Sequence, residues 1–593
     1  MKSKLARGLF RVKGTRYDEQ VRNFELARAF GEIADLLELQ QAGIFRIRAY
    51  RRAAQNLESL SEDVEAIAGR GELDTIPGIG KDLAAKIDEY LKTEKIAYVD
   101  ELHKEIPPGV VELMGVQGVG PKTAKLFFDK LGIDSIEKLE AAIRSGQILG
   151  LPGIKEKTRQ NILKGIVTLR AGQARMPLGK ALPLAEALVG ALKALPEVRQ
   201  IEVAGSIRRR RDTVGNVDIL VTSQKPATVM ERFVTLPAVA QVLLHGETKS
   251  SIRHREGIQV DLRVVESDVF GAALQYFTGS QLHNVRLREM ASRNGLRISE
   301  YGVFNEKTGE RLAGKTEEEV YRVVRLPWIP AELRGDRGEI DAAMEGRLPS
   351  LLDLGQIRGD LHAHTDWSDG HHPLPALVEA AEARGYEYIV VSDHSRSSTV
   401  ARGLTPERLR DQIKQIRELQ KTHRIRILTG TECDILPDGS LDFPNDLLQE
   451  LDVVLAAVHS RFKQSREEMT ARICRALEHP LVTILAHPTG RLIGVRDAYD
   501  VDLEQVFATA RRHGKAVEIN ASPYRLDLND LHARRARDLG CRIAVNTDTH
   551  YLANLDHMSF GVATARRAWV GPDQVMNTAP LETLLALTRS DRR

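Results

Sequence analysis

From Asp360 onward the sequence repeats a single pattern. Short apolar runs (YIVVSDH, RILTGTE, VVLAAVHS, VTILAHP, AVEINAS and RIAVNTD) alternate with segments of helical character. Such strand–helix repetition implies a barrel with its site at the C-terminal strand ends. Each run carries His, Asp, Glu or Asn within its last three residues. The titratable residues follow the same geography: of 17 histidines, 13 lie at or beyond His362. Imidazole binds transition metals in its neutral form, so the skew marks a metal-rich C-terminal domain.

The spacing supplies a ligand set. His362 and His364 stand two apart at a strand end, and Asp369 follows in the loop. Then come His394 in SDH, Glu432 in GTE, His459 in VHS, His487 in AHP, and Asp548 with His550 in TDTH. Nine N/O donors without cysteine can hold three ions, with one carboxylate bridging, and suit Zn²⁺, Mn²⁺ or Fe²⁺ rather than Ca²⁺. His371, His372, His423, His513, His532 and His557 fall outside this pattern and read as surface or packing residues. Arg461 and Arg491, just past ligand strands, read either as phosphate clamps or as surface arginines.

The rest of the chain is a different material. At 593 residues it exceeds one core, and about three to five domains are expected. With 42% hydrophobic and 28% charged residues it is globular rather than disordered or fibrous. No apolar run is long enough to span a bilayer, and the basic N-terminus lacks the apolar core of a signal peptide. Cys433, Cys474 and Cys541 form no CxxC pair, which excludes a disulfide scaffold or a cysteine zinc ribbon and fits a reducing cytoplasm. A cytoplasmic monomer is expected. Lys2, Lys4, Arg7, Arg11, Lys13 and Arg16, with no acid among the first 17 residues, read as a basic arm. Net charge, +3, names no partner.

Residues 23–70 have helical periodicity. A short signature then recurs three times: IPGIGKDLAAKIDEYL at 76–91, LMGVQGVGPKTAKLFFDKLG at 113–132 and ILGLPGIKEKTRQNIL at 148–163. Each copy is an apolar residue, a glycine turn and a basic amphipathic helix, and resembles the helix-hairpin-helix motif. Gly78, Gly80, Gly118 and Gly120 would let backbone N–H groups at helix starts approach a phosphate. Such contacts position a duplex without reading it.

From about residue 180 the texture is mixed α/β. GSIRRRRDTVGNVD spans Gly205 to Asp218. A Gly-Ser turn before a short basic helix can hold a triphosphate. Positions 216 and 218 face one side of a strand, and Asp261 on a second strand can complete a cage for Mg²⁺. Ions held this way serve attack by a 3′-hydroxyl and departure of pyrophosphate. The stretch Arg208–Arg211 is expected to meet DNA, EYGVFNEKTGERL to turn as a hairpin around Thr308–Gly309, and 325–359, rich in Gly and Pro, to be a linker.

FRIRAYRRAA, PGIGKDLAAKI, GSIRRRRDTVGNVDILV, VDLR and ALQYFTGSQLHN make residues 23–335 resemble a bacterial family X DNA polymerase. Residues 357–593 are similar to the polymerase and histidinol phosphatase (PHP) domain. The resemblance implies a multidomain fold: helical helix-hairpin-helix domains, an α/β nucleotidyltransferase palm with a thumb, and a distorted (β/α) PHP barrel. It divides the chain into an arm (1–22), a lyase-like domain (23–95), fingers (96–178), palm (179–270), thumb (271–335), linker (336–356) and PHP domain (357–593). It implies template-directed synthesis from dNTPs on gapped or nicked DNA, coupled to metal-dependent 3′-5′ exonuclease or 3′-end processing in base-excision-type repair. It makes Gly205, Ser206 and Arg209 triphosphate contacts. Tyr276, Phe277, Thr278 and Gly279 become the sugar side of the nucleotide pocket, with Asn284 nearby and Arg288 toward the minor groove. Asp218 and Asp261 match two of three metal carboxylates for Mg²⁺ or Mn²⁺. In the PHP domain the resemblance implies three Zn²⁺ or Mn²⁺ ions. It puts a pair on His362, His364, Glu432, His459, His487 and Asp548, and the third on Asp369, His394 and His550.

Two positions depart from the family pattern. Asn216 stands where an acid is expected. An amide offers one acceptor oxygen and no charge, so metal affinity should fall and synthesis should be strongly impaired. Lys86 sits where some members form a Schiff base, but Asp82 stands where they often carry a basic residue and would raise the lysine pKa. Lys86 therefore reads as a lyase candidate or a DNA-backbone lysine. Two rival functions are a histidinol-phosphate-type phosphomonoesterase, opposed by the three glycine hairpins, and a DNA-end scaffold with an inactive palm, opposed by the full ligand set.

Overall fold

A computed structural model describes residues 16–59, 64–76, 78–93, 95–114, 116, 118–172 and 175–589. The chain divides into two compact units, Met1–Arg175 and Met176–Arg593.

The first unit is helical. Helix Arg16–Leu39 buries Leu26, Phe30, Ile33 and Leu37 at the three- and four-residue spacing of one helix face. The same core takes in Ile79, Val119 and Ile154, the central apolar residues of the three glycine turns. Residues on both sides of position 95 thus share one core. Of the expected basic arm, residues 1–15 lie outside the described residues. Residues 16–22 are the first turns of helix Arg16–Leu39, not an arm, because no Pro or Gly in this stretch stops the helix.

In the second unit, a five-stranded palm sheet runs in the order Val198–Ala204, Asn216–Ser223, Gln259–Val265, Lys249–His254, Val239–His245. Helices Leu178–Lys193 and Pro226–Val234 supply apolar faces to its core. The thumb carries helices Phe270–Thr278 and Gln281–Arg293. Its strands Gly302–Asn305 and Arg311–Ala313 pair around the turn at Thr308–Gly309. Seven parallel strands follow in sequence order, from Gly359–Asp360 to Arg542–Asn546. A parallel bridge from Ala363 to Thr549 brings the two ends together into a nearly closed barrel. No described helix is long and apolar enough to cross a membrane, and the three cysteines are buried free thiols.

The segment 325–359 is not a loose linker. It forms helix Glu339–Met344, and Ile329, Leu333, Ile340, Ala342 and Ala343 join the thumb core beside Trp569 of the PHP domain. Its Gly and Pro residues punctuate short elements, too short to show a period. Phe560 of the PHP domain likewise packs on the palm core. Palm, thumb and PHP domain therefore form one packed body.

A buried ion-pair cluster ties the palm to the thumb in that body. Arg334 is fully buried and donates from Nη1 to Glu317 Oε1 at 2.6 Å and from Nε to the Ile329 carbonyl at 2.9 Å. Glu317 also accepts both Nη groups of Arg208 at 2.8 Å and the Trp328 indole N–H at 3.0 Å. Burial alone would raise the Glu317 pKa, yet the two arginines bring it down to about 2 from 4.5. Its stabilising contribution is therefore complete above pH 4.5 and is lost as pH falls toward 2. Glu317→Ala would leave two guanidinium groups short of a partner, and a loss of about 3–5 kcal/mol is expected. Urea unfolding monitored by circular dichroism checks this: the variant should lose most of the acid sensitivity between pH 4.5 and the onset of global acid unfolding.

Candidate active site and metal centre

The PHP centre is built on one carboxylate. Glu432, in the parallel strand Arg426–Asp434, is almost wholly buried, and five imidazoles converge on it. Its Oε1 lies 2.7 Å from His487 Nε2 and 3.2 Å from His459 Nε2. Its Oε2 lies 2.9 Å from His394 Nδ1, 3.4 Å from His362 Nε2 and 3.6 Å from His364 Nε2. Asp548 Oδ1 stands 3.2 Å from His364 Nε2. Asp369 Oδ1 stands 3.2 Å from His550 Nε2 and 3.5 Å from His394 Nε2. All nine residues read from strand ends meet in one place.

Their grouping differs from the expected division. Three sets have donor atoms within 4.8 Å of one another: His364, Asp369, His394 and His550; His362, His364 and Asp548; and His394, Glu432 and His459. His364 and His394 are each shared between two sets. His487 enters none of them and bonds Glu432 instead. The donor set fits metal ions on its own terms. His362 Nε2, both nitrogens of His364, His394 Nδ1 and Glu432 Oε2 are buried without a hydrogen-bond partner, a cost that coordination would remove. His487 and Asp548 hold φ of 26° and 53°, strained conformations for residues other than glycine.

Electrostatics agree with this assignment. Burial and the neighbouring rings of His550 and His394 push His364 down to about 4, leaving it neutral and ready to ligate. Burial works against charge on His550 too, but the hydrogen bond to Asp369 and the field of Asp548 raise it to about 9. Glu432 and Asp548 overcome burial through their histidine neighbours and stay ionised well below the usual range. Cations entering here would replace protons.

Outer residues that sequence reading missed orient the ligands. Glu518 accepts from His362 Nδ1 at 2.8 Å and from the His487 N–H at 2.7 Å. Asp434 takes His459 Nδ1 at 2.5 Å. Asp434 stands two residues after the ligand Glu432 on the strand Arg426–Asp434, a period-two signal visible in RILTGTECD, whereas Glu518 lies on the strand Ala516–Asn520, which carries no ligand of its own. Arg525 places Nε 3.5 Å from Asp548 Oδ2. Of the two arginines read as phosphate clamps or surface arginines, Arg461 is exposed with φ 57°, whereas Arg491 donates to the carbonyls of Arg525 and Leu526.

In the palm, strands Asn216–Ser223 and Gln259–Val265 are parallel, with Asp218 opposite Asp261. Asn216 Nδ2 donates to Asp218 Oδ1 at 3.1 Å and to Asp261 Oδ2 at 3.2 Å, so the amide ties the two acids together. Ser251 and Gln259 add donors to Asp261 at 2.5 and 3.0 Å. Burial and then Asp261 raise Asp218 to about 6. Gly205 (φ 68°) must be glycine, since a Cβ would fall 2.5 Å from Asp218 Oδ2. Ser206 is the second residue of the short helix Gly205–Arg208. Tyr276 and Phe277 meet edge to face at 5.2 Å, Asn284 donates to the Tyr276 carbonyl at 2.7 Å, and Arg288 is exposed.

The stretch Arg208–Arg211 is less free for DNA than its composition implies. Arg208 is committed to Glu317, and Arg209 donates to the Thr278 carbonyl beside Gly279. Burial and then Arg567 lower Arg209 to about 10. A run of like charge looks solvated in sequence; here the fold supplies buried acceptors.

Gly78, Gly118 and Gly153 adopt φ of 80°, 94° and 80°. In the first two hairpins, Gly80 and Gly120 are exposed with open space around them, ahead of helices Lys81–Thr93 and Pro121–Leu131. In the third, Lys155 replaces the second glycine. Lys86 donates to Asp82 Oδ1 at 2.7 Å. Burial would lower its pKa, but Asp82 and Tyr50 raise it, which keeps the amine protonated and a poor nucleophile.

Comparison with known proteins gives the same parts. Residues 21–96 match a helix-hairpin-helix domain, 110–167 a SAM-like helix-hairpin-helix tandem, 273–335 a DNA polymerase beta thumb and 360–522 a PHP domain. The chain is 37% identical over 571 residues to the DNA polymerase/3′-5′ exonuclease PolX of Bacillus subtilis (strain 168), covering 96% of this chain and 99% of that protein. It is 27% identical over 327 residues to DNA polymerase lambda of Rattus norvegicus, 49% of this chain and 53% of that one. A probable phosphatase of Thermoanaerobacter sp. (strain X514) is 29% identical over 231 residues, 37% of this chain and 89% of that protein.

Glu518→Gln should weaken metal binding by about 10–100-fold, as loss of an outer hydrogen-bond partner does at metal sites. Mn²⁺ titration by calorimetry checks it; an unchanged affinity would show that Glu518 does not hold His362 and His487 in place.

Proposed function

Because the chain belongs to the family X DNA polymerases that carry a C-terminal PHP domain, we propose that two centres act on one DNA end. The palm extends a 3′ end across a gap, weakly in this chain, and the PHP centre trims that end in the 3′-5′ direction. The convergence of nine candidate ligand residues, Glu432 at their centre, carries the second half of this reading. The substrates are dNTPs and gapped or nicked duplex, with the exposed glycine hairpins on the phosphates.

Asp218 and Asp261 would hold Mg²⁺ or Mn²⁺ in the palm, and the PHP residues would hold Zn²⁺ or Mn²⁺. Bound divalent ions supply charge neutralisation and nucleophile activation at phosphorus. The chain's own residues do the rest. The Gly205–Ser206 turn offers backbone N–H groups to a triphosphate, and Tyr276 to Gly279 flank the sugar. Arg209 would reach a phosphate only by giving up the Thr278 carbonyl. Asn216 provides no charge where the family pattern has a carboxylate, and its N–H bonds to both acids compete with cation entry.

The resemblance to a probable phosphatase favours 3′-phosphate removal as a second task of the PHP centre. A screen of end-labelled gapped DNA with 3′-hydroxyl and 3′-phosphate ends, alongside histidinol phosphate, separates these substrates.

His362→Ala with His364→Ala should abolish hydrolysis while gapped-DNA binding persists; surviving hydrolysis would put the site elsewhere. Asn216→Asp should raise single-nucleotide gap filling in Mg²⁺ at least about tenfold, equivalent to ~1.4 kcal/mol of transition-state stabilisation, and leave exonuclease activity unchanged. Equal filling rates would show that Asp218 and Asp261 suffice.

A further inference from the structure

The loop Asn520–Leu528 touches the PHP centre at one end and the palm at the other. Arg525 lies against the ligand Asp548, with Nε 3.5 Å from Oδ2. Two residues earlier, Pro523 is buried against the palm helix Leu178–Lys193: a Cβ at Gly179 would fall 2.2 Å from Pro523 Cβ. Leu526, the next residue after Arg525, holds φ 44°, a left-handed conformation that persists only where the surroundings impose it. Arg491 imposes it. Its Nε donates to the Arg525 carbonyl at 2.8 Å and its Nη2 to the Leu526 carbonyl at 2.6 Å. Its remaining Nη1 lies 3.2 Å from the carboxylate of Asp212, in the palm turn after Arg208–Arg211. One guanidinium fork, rigid and planar, thus fastens the loop backbone to the palm.

We propose that the palm is a working wall of the exonuclease centre. Gly179 and Asp212 brace the loop from the palm side, and Arg491 is the positioning residue that sets Arg525 beside Asp548. There Arg525 meets the phosphate to be cleaved and donates charge-assisted hydrogen bonds to it. This rests on the exonuclease reading of the PHP centre. All nine candidate ligands belong to the barrel and none to the palm. The brace therefore acts on phosphate binding and leaves metal binding alone, a separation that a general destabilisation of the domain would not produce.

The test uses the full chain, with Asp212→Ala and Gly179→Ala on the palm side and Arg491→Ala and Arg491→Lys on the PHP side. Three quantities are read: kcat and KM on a 3′-labelled single strand in Mn²⁺, the inhibition or dissociation constant of inorganic phosphate, and Mn²⁺ affinity by calorimetry. Both palm variants should lower kcat/KM about tenfold and weaken phosphate binding to a similar degree, with Mn²⁺ affinity unchanged. Arg491→Lys should recover part of what Arg491→Ala loses, because an ammonium can serve one carbonyl but not the whole fork. Unchanged hydrolysis and phosphate affinity in both palm variants would overturn the proposal. So would a parallel loss of Mn²⁺ affinity, which would make the contact merely structural. If thermal melting shows that Gly179→Ala does not fold, Asp212→Ala decides alone, since it removes only a partly exposed side chain. A wild-type chain that does not hydrolyse DNA would overturn the exonuclease reading, and phosphate affinity would still decide whether the palm braces Arg525.

Discussion

The C-terminal half of this protein is organised around a buried negative charge. Glu432 cannot be placed in the barrel interior without compensation, since an unpaired carboxylate there would cost several kcal/mol. Five imidazoles provide it, brought to the same end of the barrel by four strand ends, one of which supplies both His362 and His364. Parallel strands in sequence order make this convergence geometrically cheap: each strand delivers its last residue to one rim. Asp434 and Glu518 hold the outer nitrogens, fixing which nitrogen of His459 and His362 faces Glu432.

Pairing of buried charge also joins the domains. Arg334 and Arg208 share Glu317 between palm and thumb. Arg567, from the PHP domain, donates to the Arg209 carbonyl in the palm and pairs with Asp530, which also takes Arg337. These contacts run through the turn that bears the proposed triphosphate contacts. The palm site is therefore positioned by the domain that carries the second chemistry, and neither centre stands on an independent module.

The sequence shows most plainly what depends on local pattern. The barrel strands, the nine metal-ligand candidates and the three glycine hairpins follow from period, spacing and the left-handed φ that glycine allows, and each has its counterpart in the structure. What is lost is whatever depends on partners remote in sequence. Residues 325–359 look like a linker because Gly and Pro hide a two-turn helix, and the burial of Arg334 cannot be seen without Glu317. Arg208 and Arg209 look like a solvated basic run because their acceptors lie about 70 to 109 residues away. The division of ligands among ions is not legible for a related reason: strand order places each ligand at the rim but does not say which ligands are shared.

The two centres meet the problem of clustered acids in opposite ways. In the PHP domain imidazoles intervene between carboxylates, so Glu432 and Asp548 remain ionised despite full burial. In the palm, Asp218 faces Asp261 with no imidazole between, and burial with that like charge lifts Asp218 to about 6. A third carboxylate at position 216 would sharpen the repulsion. Asn216 removes it, donating one N–H to each acid and cross-linking them without any cation. The amide that holds the two acids together is then the same group that would oppose cation loading, because its donors meet oxygens a cation would take. Cross-linking of the two acids and synthetic competence draw on the same two oxygens, and at position 216 the chain has a residue that favours the first.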